Sequence, residues 1–312
     1  MSDCLPDRQR REIEYYQRHA QLDISVVVIA RNDAWPLPSV LQAIGEQIAE
    51  NSVLSVYVNG SEDDTLGIAK KFAANSSFPV RVWNIEFGDK SNAWNWYIHH
   101  SGLEAKAHVF IDGYSVIAKG SLQALLDGLA QAKGATAVPS LGPSAAKTRA
   151  VMLQHGGFHG SYHVLAGGFV ERLRSLRIFL PVGTYIQDSF IGSMLMHDLD
   201  ALNGAWTDGN IAVVEAATWK TMKSVWRDPG RYMQRKINKA RGKIEIAAFK
   251  EIIYKKGFGA LPPNADLMLR DYIDSHPIKP TLFDLPMRAA LRALQNPRVI
   301  TERIVPKMVL PD

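Results

Sequence analysis

The feature that most constrains this chain is a rhythm. Between residues 24 and 139, apolar β-branched runs alternate with stretches of helical spacing. "ISVVVIARND" opens the series, and its run from Ile24 to Ile29 puts apolar side chains on both faces. A strand of that kind is buried on both sides and belongs inside a parallel sheet. "PLPSVLQAIGEQIAE" follows with helical spacing, its prolines near the start where a missing N–H does no harm. "SVLSVYVNGSEDDT" reads as a second strand ending at Asn59-Gly60, and "DDTLGIAKKFAA" as a helix with acids in its first turn, where the dipole favours them. "PVRVWNIE" with "KSNAWNWYIHHSG", then "AHVFID" with "KGSLQALLDGLAQAKG", repeat the unit, and "ATAVPS" reads as a fifth strand. This order predicts an α/β fold, a doubly wound sheet with helices on both faces. In such sheets ligands bind beyond the carboxyl ends of the strands. Those ends carry Arg31-Asn32-Asp33, Asn59-Gly60-Ser61 and Asp112-Gly113-Tyr114.

After about residue 140 the rhythm stops. Residues 140–169 are rich in glycine and histidine and yield no assignable element before "GGFVERLRSL", a helix. "FLPVGTYIQDSFIGSMLMHDL" reads as a loop and then a helix beginning near Asp188, and "NIAVVEAATWK" as a short strand. Residues 229–256 form a long basic helix or helix pair, followed by a helical tail broken by prolines. With a short helix in "REIEYYQRHA", the chain divides into 1–22, 23–140, 141–228 and a basic helical C-terminal region, 229–312.

The charge is uneven. Residues 219–256 hold twelve Lys/Arg and three Asp/Glu, a local excess of +9, while the rest sums to −4. Such a segment fits an anionic partner (phosphate, nucleic acid or lipid headgroup), or is a solvated helix face. Cys4 is the single cysteine, which excludes an intrachain disulfide and a cysteine-based zinc site and fits a reducing compartment. The first twenty residues are charged and lack the apolar core of a secretory leader. No window approaches the roughly 18 apolar residues of a membrane span. A cytoplasmic protein is expected, with peripheral contact at the inner membrane face left open through the basic segment and Trp219 and Trp226. There is no Walker loop, and no GxGxxG follows the first strand, which counts against a dinucleotide-binding domain.

The polar strand ends each admit two readings. Asp112 either holds a divalent cation, with Gly113 letting the backbone come close, or caps the next helix. Gly60 and Ser61 either aim backbone N–H groups at an anion or form an ordinary turn. Lys90 opens a helix, where the dipole disfavours a cation; a ligand phosphate or plain solvent exposure explains it. Asp188 is an N-cap or a general base. Arg231 and Arg235, four apart on one helix face, reach phosphates or an anionic acceptor, or serve solubility.

Taken in order, these stretches resemble the inverting glycosyltransferases of family two, which have the GT-A fold. "IARNDAW" stands at the family's Pro-x-Tyr/Arg-Asn-Glu type motif, "VNGSEDDT" at Asp-Asp/Asn-Gly-Ser-x-Asp-x-Thr, and "GDKSNAWN" at Gly-Lys-x-x-Ala-x-Asn. "FIDGYSVIAKGSL" matches the DxD strand end in part, Gln187-Asp188 stands at the Glu-Asp pair, and "QRKIN" is a faint trace of Gln-Arg-x-Arg-Trp. The resemblance spans roughly residues 23–245. Tyr114 replaces the second acid of DxD, Gln187 replaces Glu, and no tryptophan follows Arg235, which argues against a processive polymerase.

The resemblance implies a GT-A-like sheet and a nucleotide-sugar donor, most often UDP-linked, bound by the 23–140 half, with the acceptor on 141–228. The nucleoside would lie across Ala30-Arg31-Asn32 and Asn59-Gly60-Ser61, with Lys90 and Asn92 near the nucleotide or its phosphates. Asp112, with Gly113 behind it, would hold Mg²⁺ or Mn²⁺ against the pyrophosphate. His155, His159, His163 and His197 are candidates for a further metal ligand. Asp188 would take the proton of an acceptor hydroxyl as it attacks the anomeric carbon, inverting it. Arg231 and Arg235 would reach the phosphates. The acceptor is a hydroxyl compound, a lipid-linked one included, and no nucleic-acid partner is expected. Two alternatives stand beside this reading. A sugar nucleotidyltransferase would show a glycine-rich first loop, which "ARNDAWPLP" lacks. A non-catalytic nucleotide-sugar-binding protein would fit the incomplete DxD.

Overall fold

The structure, a computed structural model, describes residues 22–142, 144–222, 229–295 and 307–309. The helix expected within 1–22, Trp226 and the side chain of Arg231 lie outside the described residues. The alternating half runs β1 (Leu22–Ala30), α1 (Leu37–Gly45), β2 (Ser52–Asn59), α2 (Thr65–Asn75), β3 (Val80–Ile85), α3 (Lys90–Trp96) and β4 (Ala105–Asp112). Then come β5 (Ser115–Ile117), α4 (Ser121–Asp127), β6 (Gly134–Leu141), α5 (Ala145–His155), β7 (Tyr162–Ala166), α6 (Gly167–Ser175), α7 (Gln187–Met196) and β8 (Ile211–Thr221). The C-terminal region adds α8 (Pro229–Lys256), α9 (Ala265–Ser275), α10 (Leu285–Gln295) and β9 (Lys307–Val309).

All nine strands join one sheet in the order β5-β8-β6-β7-β4-β1-β2-β3-β9. β3, β2, β1 and β4 are parallel neighbours, and β7 and β9 close this block with antiparallel pairs. β1 is apolar at successive positions because both its faces are covered. Val26 and Val28 belong to one core, with Leu37, Val40, Leu41 and Ile44 of α1; Val27 and Ile29 belong to the other, with Trp94, Phe190 and Phe249. Val26, Val27 and Val28 are fully buried, and each such side chain stabilises the fold by about 1.5–3 kcal/mol. The doubly wound mixed sheet with helices on both faces is therefore present as expected.

The details differ in five places. Asp63 and Asp64 precede α2 rather than sit in its first turn; Asp63 accepts from the N–H of Thr65 and of Ala34. After Asp112 the chain does not pass straight into a helix, because β5 intervenes and pairs with β8, Ser115 facing Thr221. The unassigned stretch holds α5 and β7, and β7 is buried at four of its five positions. β8 is long, with 11 residues. Trp219 on it is 6% exposed and paired opposite Ile117, so it does not present a surface to a membrane.

Residues 229–256 form one helix of 28 residues. Its buried stripe Ile244, Ala248, Phe249 and Ile253 packs on the core, Phe249 stacking on Phe190 with centroids 3.9 Å apart, while lysines occupy the exposed side. No helix among the described residues is long and apolar enough to cross a membrane.

Candidate functional site

The carboxyl ends of β1, β2 and β3 are stitched together by side chains that the sequence points to as ligand-binding. Asn32 adopts a positive φ of 50°, a conformation asparagine tolerates. Its N–H donates to Ser61 Oγ at 3.1 Å, and its Oδ1 accepts from the N–H of Glu62 at 2.8 Å. Asn59 is buried, and its Oδ1 accepts from the N–H of Asp89 at 2.9 Å. Gly60, at φ 62°, lies so close to the next loop that a Cβ would stand 2.3 Å from the Gly88 nitrogen. Arg31 donates to the Gly88 carbonyl at 3.0 Å. Asn32, Asn59, Gly60 and Ser61 thus join the loops at these strand ends to one another, while Arg31 is exposed.

The strand order reverses between β1 and β4, and the crevice at such a switch point is where open α/β sheets bind ligands. Here the two strand ends touch. Gly113 N–H donates to Ile29 O at 2.9 Å, and a Cβ on Gly113 would lie 2.6 Å from that of Ala30. Ala30 is fully buried, a wall rather than a ligand contact.

Asp112 ends β4 and is 5% exposed. Its Oδ1 is 2.6 Å from Lys90 Nζ, and its Oδ2 accepts from Tyr114 Oη at 2.7 Å. Tyr114, which replaces the second acid of DxD, therefore serves the first one as a donor. Burial pushes the Asp112 carboxyl up, but the ammonium and phenol beside it hold it below the ordinary carboxylate value. For Lys90 burial pulls down, and the carboxylates of Asp112 and Asp188 more than restore it, leaving the ammonium above its usual range. About a third of the Lys90 side chain (36%) is exposed. Lys90, expected near a nucleotide or its phosphates, is here paired with Asp112.

Lys90, Asp112, His163, Gln187 and Asp188 line one small pocket of about 10 Å³, room for a single water. Asp188 sits in the first turn of α7, where the helix dipole favours a carboxylate. It packs against Gly160, so closely that a Cβ there would lie 2.0 Å from Asp188 Oδ1. Gln187 donates to Ser91 Oγ at 2.6 Å and ties α7 to α3. His163 Nδ1 is 3.2 Å from the Gly160 carbonyl, which only accepts, so Nδ1 carries the proton. Burial drives the pKa of this imidazole down to about 3. Its Nε2 is therefore a lone pair at neutral pH, with no hydrogen-bond partner among the described residues. Of the four candidate histidines only His163 lines this pocket. His159 lies against Trp219, His197 against Tyr254 and Trp206, and His155 ends α5.

A polar cleft of about 520 Å³ opens beside this pocket, lined among others by Arg31, Lys90, Tyr185, Gln234, Asn238 and Arg241. The α8 residues follow the spacing of one helix face. Arg235 is turned about 100° from Gln234, exposed and off the cleft lining, and it acts on Tyr185 electrostatically. The cleft wall of α8 is thus Gln234-Asn238-Arg241, with Arg235 beside it, near Tyr185.

The loop leading into Asp188 is clamped from two sides. Asp89 caps α3 by accepting from the N–H of Asn92 at 2.8 Å and also accepts from the N–H of Gly183 at 2.9 Å, which gives Asn92 a backbone role. Burial holds the Asp89 carboxyl above its ordinary value. Glu245, fully buried in α8, accepts through Oε2 from Thr184 Oγ1 and the N–H of Tyr185, both at 2.9 Å, and from the N–H of Ile186 at 3.1 Å. Arg241 bridges Glu245 at 2.7 Å, Asp266 at 2.6 Å and the Gly183 carbonyl at 3.0 Å. Sequence reasoning missed Asp89, Glu245 and Arg241. One signal was available: Arg241 and Glu245 are four apart beside the apolar stripe of a helix, where an unpaired charge would be costly.

Among the described residues no group of three His, Cys, Asp or Glu side chains is placed to hold a metal ion. A divalent cation that travels on a diphosphate needs less. Mg²⁺ commonly uses one or two carboxylates, substrate phosphates and water. Asp112, with an ammonium already seated on it and the His163 lone pair in the same pocket, fits that arrangement.

No protein-family model and no curated protein sequence matches this chain. Solved structures do. It is similar to the mannosyltransferase PcManGT from Pyrobaculum calidifontis, solved with GDP-Man and Mn²⁺, with a TM-score of 0.57 and 15% identity over 91% of this chain and 86% of that one. It is also similar to residues 1–349 of S. aureus TarS, with a TM-score of 0.53 and 13% identity over 88% of this chain and 80% of that one. The same TarS segment with UDP-GlcNAc gives 0.52. At these identities the likeness is one of architecture, and it establishes that this chain has the GT-A fold.

Proposed function

We propose that this protein transfers a sugar from a nucleotide-sugar donor to a hydroxyl acceptor, with inversion at the anomeric carbon. The observation that carries the reading is the convergence of Lys90, Asp112 and Asp188 on one pocket, at the mouth of a polar cleft, at the carboxyl edge of a GT-A sheet. A cleft of about 520 Å³ is within the range of small-ligand sites. The nucleotide lies against the loops joined by Asn32, Asn59 and Ser61, with Arg31 and Arg241 as cationic walls. PcManGT with GDP-Man and TarS with UDP-GlcNAc support a nucleotide-sugar as the ligand class.

Asp188 then acts as the base. It accepts the acceptor's hydroxyl proton while the acceptor oxygen bonds to the anomeric carbon and the bond from that carbon to the diphosphate oxygen breaks. The nucleoside diphosphate leaves with the electron pair. A single displacement with Asp188 as base supports inversion, since Asp112 is engaged by Lys90 and Tyr114. Asp112 would hold the donor's Mg²⁺ or Mn²⁺, which supplies Lewis-acid stabilisation of the leaving charge.

The test is a thermal-shift panel of UDP-, GDP- and dTDP-sugars with and without Mn²⁺, followed by product analysis with hydroxyl acceptors. Transfer should release nucleoside diphosphate and give a product of inverted anomeric configuration. Release of pyrophosphate would instead identify a nucleotidyltransferase, and binding without turnover a non-catalytic module.

A further inference from the structure

Lys90 is in an unusual position for a lysine that serves a phosphate. Its ammonium, at 2.6 Å from Asp112 Oδ1, stands in the place a cation on that carboxylate would take. Asp112, Asp188 and the bare Nε2 of His163 line the pocket as electron-pair donors, and Lys90 pairs with the first of them and feels the charge of the second. With the ammonium in place the pocket leaves about 10 Å³, room for one water and too little for a hydrated metal ion. Yet the lysine is not trapped. About a third of its side chain is exposed, and it also lines the neighbouring 520 Å³ cleft. It has two places to be, and an anion in the cleft would favour the second.

We infer that Lys90 is the resident counter-ion of Asp112 in the ligand-free protein and exchanges places with a divalent cation only when a nucleoside diphosphate enters the cleft. The inference rests on the donor-binding reading above. Without a diphosphate, a divalent ion must displace the ammonium into a cleft whose two carboxylates are already engaged, Asp89 by the N–H groups of Asn92 and Gly183 and Asp266 by Arg241, and it gains one carboxylate. With a diphosphate, the ammonium moves onto phosphate oxygens while the ion keeps those phosphates and Asp112. Metal and nucleotide are then thermodynamically coupled, and by linkage each raises the affinity for the other by the same factor.

The test is Mn²⁺ binding followed by electron paramagnetic resonance on the intact protein, with and without UDP or GDP, for wild type and Lys90→Met. Wild type should bind Mn²⁺ at least about tenfold more tightly with the nucleotide than without, within the usual range of coupling. K90M should bind Mn²⁺ without nucleotide more tightly than wild type does, and its coupling should shrink. If K90M does not fold, Lys90→Gln removes the same ammonium with a polar side chain and is read by the same two outcomes. Equal Mn²⁺ affinity with and without nucleotide overturns the exchange while leaving nucleotide binding standing. Unchanged coupling in folded K90M does the same. No binding of UDP or GDP under any condition overturns the donor-site reading as well.

Discussion

The buried carboxylate of Glu245 takes the hydroxyl of Thr184 at 2.9 Å, across 61 residues of sequence. Through the same oxygen it holds the N–H groups of Tyr185 and Ile186, so the chain entering α7 is anchored to α8 just ahead of Asp188. Losing that carboxylate leaves Arg241 with Asp266 and the Gly183 carbonyl and strands three donors. Glu245→Ala should cost about 3–5 kcal/mol in urea denaturation, the usual result of breaking a buried ion pair. Glu245→Gln should be milder, keep nucleotide binding and slow transfer by at least about tenfold, since small misplacements of a catalytic group are expensive. Full transfer rates in folded E245Q would count against the anchoring role.

Asp188 and Gly160 form a matched pair. Asp188→Asn should bind nucleotide much as wild type does and lower kcat by about 10²–10⁴, the worth of a general base. Gly160→Ala should give a similar profile for a steric reason, because its Cβ would lie 2.0 Å from Asp188 Oδ1 and push the carboxylate away. Nucleotide titration beside transfer kinetics checks both. Retained transfer in G160A would mean that Asp188 is not used where it stands.

Gly113 is where the ends of β1 and β4 meet. Gly113→Ala would set a methyl 2.6 Å from Ala30 Cβ, 2.8 Å from Ala30 Cα and 2.7 Å from Asp33 Oδ2, and Ala30, in a buried strand, cannot retreat. A loss of about 1–3 kcal/mol is expected, as for other overpacked interiors, and thermal denaturation reads it.

Stability should fall as the medium turns acid, and histidines rather than carboxylates should start the fall. His108 and His163 are nearly fully buried, and burial lowers each to about 3. A depressed histidine favours the native state above its unfolded value, and that advantage is lost as pH drops, because only the unfolded chain takes the proton. Two such groups give about 2.7 kcal/mol per pH unit between roughly pH 6 and 4. Asp112, held low by Lys90, contributes only further down: its share is complete above the ordinary carboxylate range and fades as pH falls through its lower native value. Urea midpoints at pH 7, 6 and 5 check the sign, and a flat profile would refute it.

The first half of the molecule was legible because its signals are local. Each strand from β1 to β4 is apolar on both faces, and each turn that follows is polar, so both the sheet and its ligand edge can be read from consecutive residues. Asp112 stood out because a charge at the end of a buried strand is conspicuous, and Lys90 and Asp188 because each stands at a helix start. What could not be read were arrangements made across the chain. β7 lies beside β4 by tertiary pairing, with little in "YHVLA" to announce it. Nothing in "KIEIAAF" says that Glu245 faces the loop before Asp188, and nothing in "DGY" says that the phenol of Tyr114 turns back to the acid two residues earlier. The helix face of Gln234 rather than that of Arg235 was a matter of one residue, about 100° of rotation.

The last described strand, β9, lies on the outer side of β3, pairing Val309 with Val82 and Lys307 with Asn84. Roughly 220 residues separate the two in the chain. At about 5–20 residues per second, a ribosome needs some 10–45 s to reach from one to the other. Throughout that interval the nascent sheet presents an unsheathed border of free amides and carbonyls, a standing invitation to pair with a neighbour. A transcript cut short before that point would leave a product able to fold most of its sheet and prone to stick to others like itself.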